Sequence, residues 1–167
     1  MPRPFDVSVE SPATVGQVYG AFGDEGYWLA RFAAFGISCT LDTLIVNDDG
    51  ALTVSVTQDL RHDALPGPVA AIYPGSLTLL STETWQPIDD RRVRGDVRIE
   101  VAGASGSSRG AAILAPNGTG SRLRFTGSVQ VRIPLLGGRV ESYLAGQFAE
   151  QIAAIQRFTS EWIAELG

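Results

Sequence analysis

Lysine is absent from this chain, and all 13 basic residues are arginine. Without a lysine amine there is no internal Schiff base to pyridoxal phosphate or to a carbonyl substrate, and no Walker-type phosphate loop. Cys39 is the single cysteine and His62 the single histidine. An intramolecular disulfide is therefore impossible, and neither a Cys/His zinc site nor a two-histidine metal triad can be built within one chain. No segment approaches about 18 uninterrupted apolar residues, the length of a membrane-spanning helix. The opening Met1-Pro2-Arg3-Pro4-Phe5-Asp6 has no apolar signal region, so the expected location is cytoplasmic and Asn117-Gly118-Thr119 reads as a hairpin turn rather than a used glycosylation sequon. A net charge of -5 disfavours nucleic acid and anionic membrane surfaces as main partners. The 19 Gly and 9 Pro are spread through turns, with no linker tract, low-complexity run or fixed repeat. What is present, 167 residues at 44% hydrophobic content, suffices for one buried core, and residues 1–167 read as one domain.

The order of periodicities is the strongest positive signal. Phe5, Val7 and Val9 alternate with Asp6, Ser8 and Glu10 in a half-buried first strand. Ser11 reads as a helix N-cap with Pro12 at the first helical position, followed by a helix burying Val15, Val18, Tyr19 and Phe22 and ended by Gly23. Asp24 caps a second helix carrying Tyr27, Trp28, Arg31, Phe32 and Phe35, closed by Gly36. Period-2 segments follow at 37–46, 51–60, 76–85, 93–101, 107–115 and 121–133, punctuated by Asn47-Asp48-Asp49-Gly50, Asp89-Asp90 and Asn117-Gly118. Between Arg61 and Gly75, three prolines bracket Val69, Ile72 and Tyr73, which predicts a helical turn or two lying over a pocket mouth. From Leu135 onward, Val140, Leu144, Phe148, Ile152, Ile155, Trp162, Ile163 and Leu166 hold helical spacing to the end. The pattern predicts an α+β fold: seven antiparallel strands in a curved sheet around one long C-terminal helix, with two short helices after the first strand.

The chain resembles the START-like or helix-grip superfamily of polyketide cyclases, Bet v 1-like allergens and lipid-transfer domains, and more narrowly the actinobacterial DUF2505 family. The resemblance is carried by Phe5-Asp6-Val7-Ser8-Val9-Glu10-Ser11-Pro12-Ala13, Tyr27-Trp28-Leu29-Ala30-Arg31, Thr82-Glu83-Thr84-Trp85 and Ile133-Pro134-Leu135-Leu136-Gly137-Gly138-Arg139-Val140-Glu141. None of these is a catalytic signature, so the resemblance bears on fold more than on function. It implies a deep, mostly apolar cavity between sheet and terminal helix that holds a small hydrophobic molecule.

Few residues offer chemistry. On the strand 76–85, Leu77, Leu79, Ser81, Glu83 and Trp85 form the more apolar parity, which places Glu83 inside. A carboxylate there could act as an acid or orient a ligand hydroxyl, or it could pair with an arginine at the rim. Arg31, one turn past Trp28, is the candidate partner; pointing inward instead, it could anchor a ligand carboxylate. Tyr143, Gln147 and Gln151 follow i, i+4, i+8 spacing beside the apolar stripe of the last helix, where they border either the cavity or water. Glu141 is expected to complement the positive end of that helix. Cys39 reads as a small core residue and His62 as a solvent-facing loop residue. The arginines at 92, 94, 98, 122, 124 and 132 read as outer-face residues in cross-strand ion pairs.

The expected activity is binding of a lipid, isoprenoid or polyketide-like molecule, with no metal, no cofactor and no integral membrane association. The pocket is expected to be lined by Trp28, Arg31, Phe32, Phe35, Leu79, Glu83, Trp85, Ile99, Phe125, Tyr143, Gln147, Phe148, Gln151 and Ile155. Two alternatives stay open. One is a cyclase- or dehydratase-type enzyme using Glu83 or Tyr143 as acid and base; the other is a protein-interaction domain whose cavity is filled by its own side chains.

Overall fold

The computed structural model describes residues 2–103 and 106–166. The chain runs β1 (Arg3–Ser11), α1 (Val15–Phe22), α2 (Glu25–Ala34), β2 (Ser38–Val46) and β3 (Leu52–Leu60). A 3-10 turn (His62–Ala64) and α3 (Gly67–Ala70) lead to β4 (Leu77–Pro87), β5 (Val93–Val101), β6 (Ser107–Asn117), β7 (Gly120–Gln130) and α4 (Gly137–Leu166). The strands form one antiparallel sheet in the order β1-β7-β6-β5-β4-β3-β2. The 30 residues of α4 make a rod of about 45 Å that lies along β1 and β7 and touches all three shorter helices. This is the α+β helix-grip arrangement that the periodicity predicts.

Pairing register fixes which side chains face the helix. Trp85 lies opposite Leu52 and Gly95, Glu83 opposite Val54 and Val97, and Ser81 opposite Val56 and Ile99. On β2 a bulge at Leu41/Thr43 lets both Leu41 and Leu44 face inward, across from Val56 and Val54. Aromatic rings cover glycines at the bend: a Cβ built on Gly95 would stand 2.5 Å from the Trp85 ring, and one on Gly110 would stand 2.4 Å from that of Phe125. These glycines allow rings to lie flat on the sheet where it curls. Gly95→Ala should therefore lower stability by about 1 to 3 kcal/mol by lifting Trp85, read as an earlier urea midpoint at unchanged slope.

Two apolar clusters fill the interior. The larger gathers α1, α2 and one end of the sheet around Phe22, Tyr27, Trp28, Trp85, Leu114 and Phe125; the smaller joins Leu65, Val69, Tyr73, Val131, Val140 and Ala145 at the opposite end. Hydroxyl relays tie the C-terminal third of α4 to the first cluster. Thr159 donates to Ile155 O, so the Tyr27 hydroxyl donates to Thr159 Oγ1 at 2.5 Å. Ser160 likewise donates to Gln156 O and receives the Ser11 hydroxyl at 2.6 Å.

Several local expectations are corrected. The N-cap of α1 is Thr14, not Ser11: Thr14 and Gln17 close a reciprocal capping box, while Ser11 stays in β1 and binds Ser160. Pro12 consequently precedes the helix. The last strand ends at Gln130 rather than Ile133, because β1 and β6 offer no partner further along, and α4 begins at Gly137 rather than Leu135. Glu141 lies beyond the first turn of α4; it is buried and its carboxylate accepts the Val131 N–H at 2.8 Å, closing the strand end onto the helix. Of the outer-face arginines, Arg122 pairs across strands with Glu10, but Arg94 bonds Asp96 on its own strand and Arg92 bonds Asp89 in the β4–β5 turn. Arg132 lies beyond β7. Arg98 stands directly opposite Arg109.

Candidate functional site

The inner face of the sheet divides in two. Where α4 lies along β1 and β7, Leu123, Phe125 and Val129 are buried and Phe5, Val7 and Val9 partly so, and Trp85 and Leu52 are buried with α1 and α2 in the larger cluster. Between those regions, on β2 to β5, Cys39, Leu41, Gln58, Leu79, Ser81, Glu83, Val97 and Ile99 face inward by register yet remain partly exposed. Leu79 and Ile99 join neither apolar cluster, and neither does Ile155 on α4. Cys39, Leu41 and Val97 pack against the edge of the larger cluster, so the inward apolar surface outside both clusters is that of Leu79 and Ile99 on this concave wall, with Ile155 on α4.

Glu83 is the acidic group on this wall. Its carboxylate Oε1 accepts the Trp85 Nε1–H at 3.0 Å, and its cross-strand neighbours Val54 and Val97 are apolar. Of the two roles open to Arg31 from sequence, the ion pair with Glu83 does not form. The Arg31 guanidinium instead lies over the Trp28 ring, 4.6 Å from its centroid, a cation–π contact that leaves it partly exposed at the end of α2. Glu83 thus has one oxygen held by Trp85 and one for which the structure gives no partner among the described residues. Cys39 lies on the wall's outermost strand, and its thiol is pushed above its ordinary value chiefly by burial, with Arg31 nearby opposing the shift. A thiol so shifted is not an activated nucleophile.

The other residues selected from sequence separate into three groups. Trp28, Phe32, Trp85 and Phe125 are buried in the larger cluster; Trp28, 1% exposed, also donates its indole N–H to Phe22 O. Phe35, Tyr143, Phe148 and Ile155 are partly exposed, Phe35 meeting Phe158 edge-on and Phe148 meeting Phe5 edge-on. Gln147 and Gln151 are exposed on α4. The segment 61–75 forms the expected helical turns, and its Leu65, Val69 and Tyr73 pack with the start of α4. The pocket lining expected from sequence leaves out Gln58 and Val97, and Ser81 although it shares the inward parity of Glu83. Their parity with Val56, Leu79 and Ile99 was the available signal, but they look ordinary until pairing sets them side by side.

Two surface depressions lie away from this wall. One of about 440 Å3 sits between the start of α1 and the β4–β5 and β6–β7 turns, and one of about 320 Å3 between α1 and the end of α4. Among the described residues there is no cluster of His, Cys, Asp and Glu able to hold a metal ion, and no helix is long and apolar enough to cross a membrane.

Residues 6–163 match the family model described as "Protein of unknown function (DUF2505)". "Uncharacterized protein Rv0481c" of Mycobacterium tuberculosis is 34% identical over 170 residues, 98% of each chain. A START superfamily protein from Mycobacterium smegmatis superposes with a TM-score of 0.58 at 14% identity, over 98% of this chain and 99% of its own. The di-domain ARO/CYC StfQ of the steffimycin biosynthetic pathway superposes with a TM-score of 0.61 at 12% identity, over 99% of this chain and 52% of StfQ. At such identities the two structures speak for the fold, while the family match and the mycobacterial relative span nearly the whole chain. The chain belongs to the DUF2505 family.

Proposed function

We propose that this protein binds a small hydrophobic molecule against the β2–β5 half of the concave sheet, facing α4. The observation that carries the reading is the unpacked inward surface around Leu79 and Ile99, interposed between two well-packed clusters. A soluble domain seldom leaves inward apolar side chains unpacked without a partner, since each buried Leu or Ile contributes about 1.5 to 3 kcal/mol. Leu79 and Ile99 supply apolar area, with Leu41 and Val97 beside them at the edge of the larger cluster, and Glu83 with Ser81 and Gln58 supply a few polar contacts that would orient the occupant. That the START superfamily protein and StfQ share the fold is consistent with this reading.

Native mass spectrometry of freshly purified protein, followed by organic extraction, tests it: a stoichiometric adduct or a series of lipid-like masses is expected. Cys39 adds a site-specific readout, because it lies on the wall and is the single thiol. Alkylation of Cys39 should be slow at neutral pH, accelerate as pH rises toward its raised pKa, and slow severalfold when the extracted molecule is added back. A clean apoprotein mass, with no protection of Cys39 by fatty acids, sterols or aromatic polyketides, would sink the proposal and move the weight to an interaction domain.

A second reading has one observation in its favour: Trp85 fixes one oxygen of Glu83, which holds the carboxylate in place as a positioned acid or base requires. If the protein is a cyclase or dehydratase, Glu83→Gln should retain affinity for the extracted molecule and lose turnover. Absence of turnover by the wild-type protein on every class of molecule it binds would remove this reading.

A further inference from the structure

We propose that the concave wall takes a hydrophobic amine, whose protonated nitrogen donates to Glu83 and supplies the charge that this carboxylate lacks. The inference rests on the wall being a binding surface, as proposed above, and goes further by naming what the occupant carries.

Among the described residues, Glu83 is the one charged side chain at an inward position of β2 to β5. The arginines of β5, β6 and β7, at 94, 98, 109, 122 and 124, all stand on the opposite, outer parity. Ion pairs join Arg61 to Asp63, Arg92 to Asp89, Arg94 to Asp96 and Arg122 to Glu10, and none of them reaches Glu83. Arg31, the cation closest in expectation, rests on the Trp28 ring instead. What Glu83 does receive is the Trp85 indole N–H, a neutral donor that satisfies one oxygen and none of the charge.

A half-buried carboxylate between Val54 and Val97 gains most from a donor of opposite charge, because hydrogen bonds between charged groups are roughly twice as strong as neutral ones. An alcohol would satisfy the second oxygen and leave the charge unanswered, and a carboxylate head would be repelled. Leu79 lies four residues from Glu83 on β4, about 13 Å along the strand, and Ile99 stands between them, opposite Ser81. A decyl chain with its nitrogen at Glu83 has that reach. The rival anchor is Arg31, close enough to Cys39 to oppose the shift of its thiol, and it would select an acid.

Binding of decylamine, decanol and decanoic acid to the full chain at neutral pH, followed by calorimetry and by protection of Cys39 from alkylation, tests the proposal. Decylamine should bind about tenfold or more tighter than decanol, and decanoic acid should bind weakest. Added salt should narrow the spread between amine and acid. Glu83→Gln keeps an acceptor for the Trp85 indole, so its melting temperature should hold while amine and acid come to within about threefold of each other. Equal affinities for the three compounds, or an amine preference that survives in Glu83→Gln, would overturn the amine assignment and leave the wall reading standing. Tightest binding of decanoic acid, lost in Arg31→Gln, would overturn it as well and move the anchor to Arg31. If none of the three binds or protects Cys39, the wall reading falls and the amine with it.

Discussion

Trp28→Ala should destabilise the protein by about 3 to 5 kcal/mol, the cost of deleting a large aromatic side chain from a closed core. Trp28 is 1% exposed, its ring meets Phe22, Tyr27 and Phe32, and its indole N–H is engaged by Phe22 O. Removing it opens a void beneath α2, leaves Phe22 O without its donor and takes away the surface on which Arg31 rests. The measurement is the urea midpoint, with Leu29→Ala as the control on the same helix. Leu29 is 52% exposed, so that substitution should stay within about 0.5 kcal/mol of wild type. A loss under about 1 kcal/mol for Trp28→Ala would mean that α2 is not an integral part of this core. Arg31 should then become more mobile, since its contact with the ring contributes about 0.5 to 1 kcal/mol at a partly exposed site.

Glu83 carries the second large expectation, because its two oxygens separate a structural from a ligand-directed role. Glu83→Leu strips the acceptor from the Trp85 indole N–H, and Trp85 is 3% exposed, so the donor has little access to water. That substitution should cost about 1 to 3 kcal/mol of stability. Glu83→Gln keeps a carbonyl oxygen in the same place and should leave stability nearly unchanged. For a ligand hydroxyl held by the second oxygen, both variants should weaken binding about tenfold, because a hydrogen bond to a charged group contributes about 1.5 to 3 kcal/mol. Stability lost in the leucine variant with affinity intact in both would assign Glu83 to holding Trp85 alone. Affinity lost in both, with stability kept in the glutamine variant, would assign it to the ligand.

Particular residues show how far the amino-acid sequence could be read. The inward parity of Glu83 was legible, because five alternating positions on one strand weigh apolar against polar and a strand has only two faces. The two short helices, the turns at Asn47–Gly50 and Asn117–Gly118, and the interrupted segment 61–75 were legible for the same reason: each rests on local chemistry of caps, glycines and prolines. Ser11 and Thr14, by contrast, are both good cap residues, so propensity does not choose between them. The choice falls to Thr14 because Ser11 is claimed by pairing with Ser121 and by the Ser160 hydroxyl, which lies far along the chain. Arg31 shows the same limit. A cation beside apolar residues has several acceptable solutions, and stacking on Trp28 lies one turn away, whereas Glu83 lies on another strand.

Glu141 and the concave wall fall wholly on the other side of that line. Near a helix start, a glutamate usually serves the helix; here it serves Val131, because β1 and β6 end where they do and leave a backbone N–H in need of an acceptor. Gln58, Ser81, Leu79 and Ile99 come from three strands, and their separations in sequence say nothing of their adjacency. The chain by itself determined the α+β class, the order of elements, the parity of each strand and the absence of lysine, disulfide and histidine-pair chemistry, since these follow from composition and from interactions between near neighbours. Only the tertiary structure decided that α4 lies along β1 and β7, and which oxygen of Glu83 is held. Each of those depends on long-range pairing, where one register among many brings distant residues together.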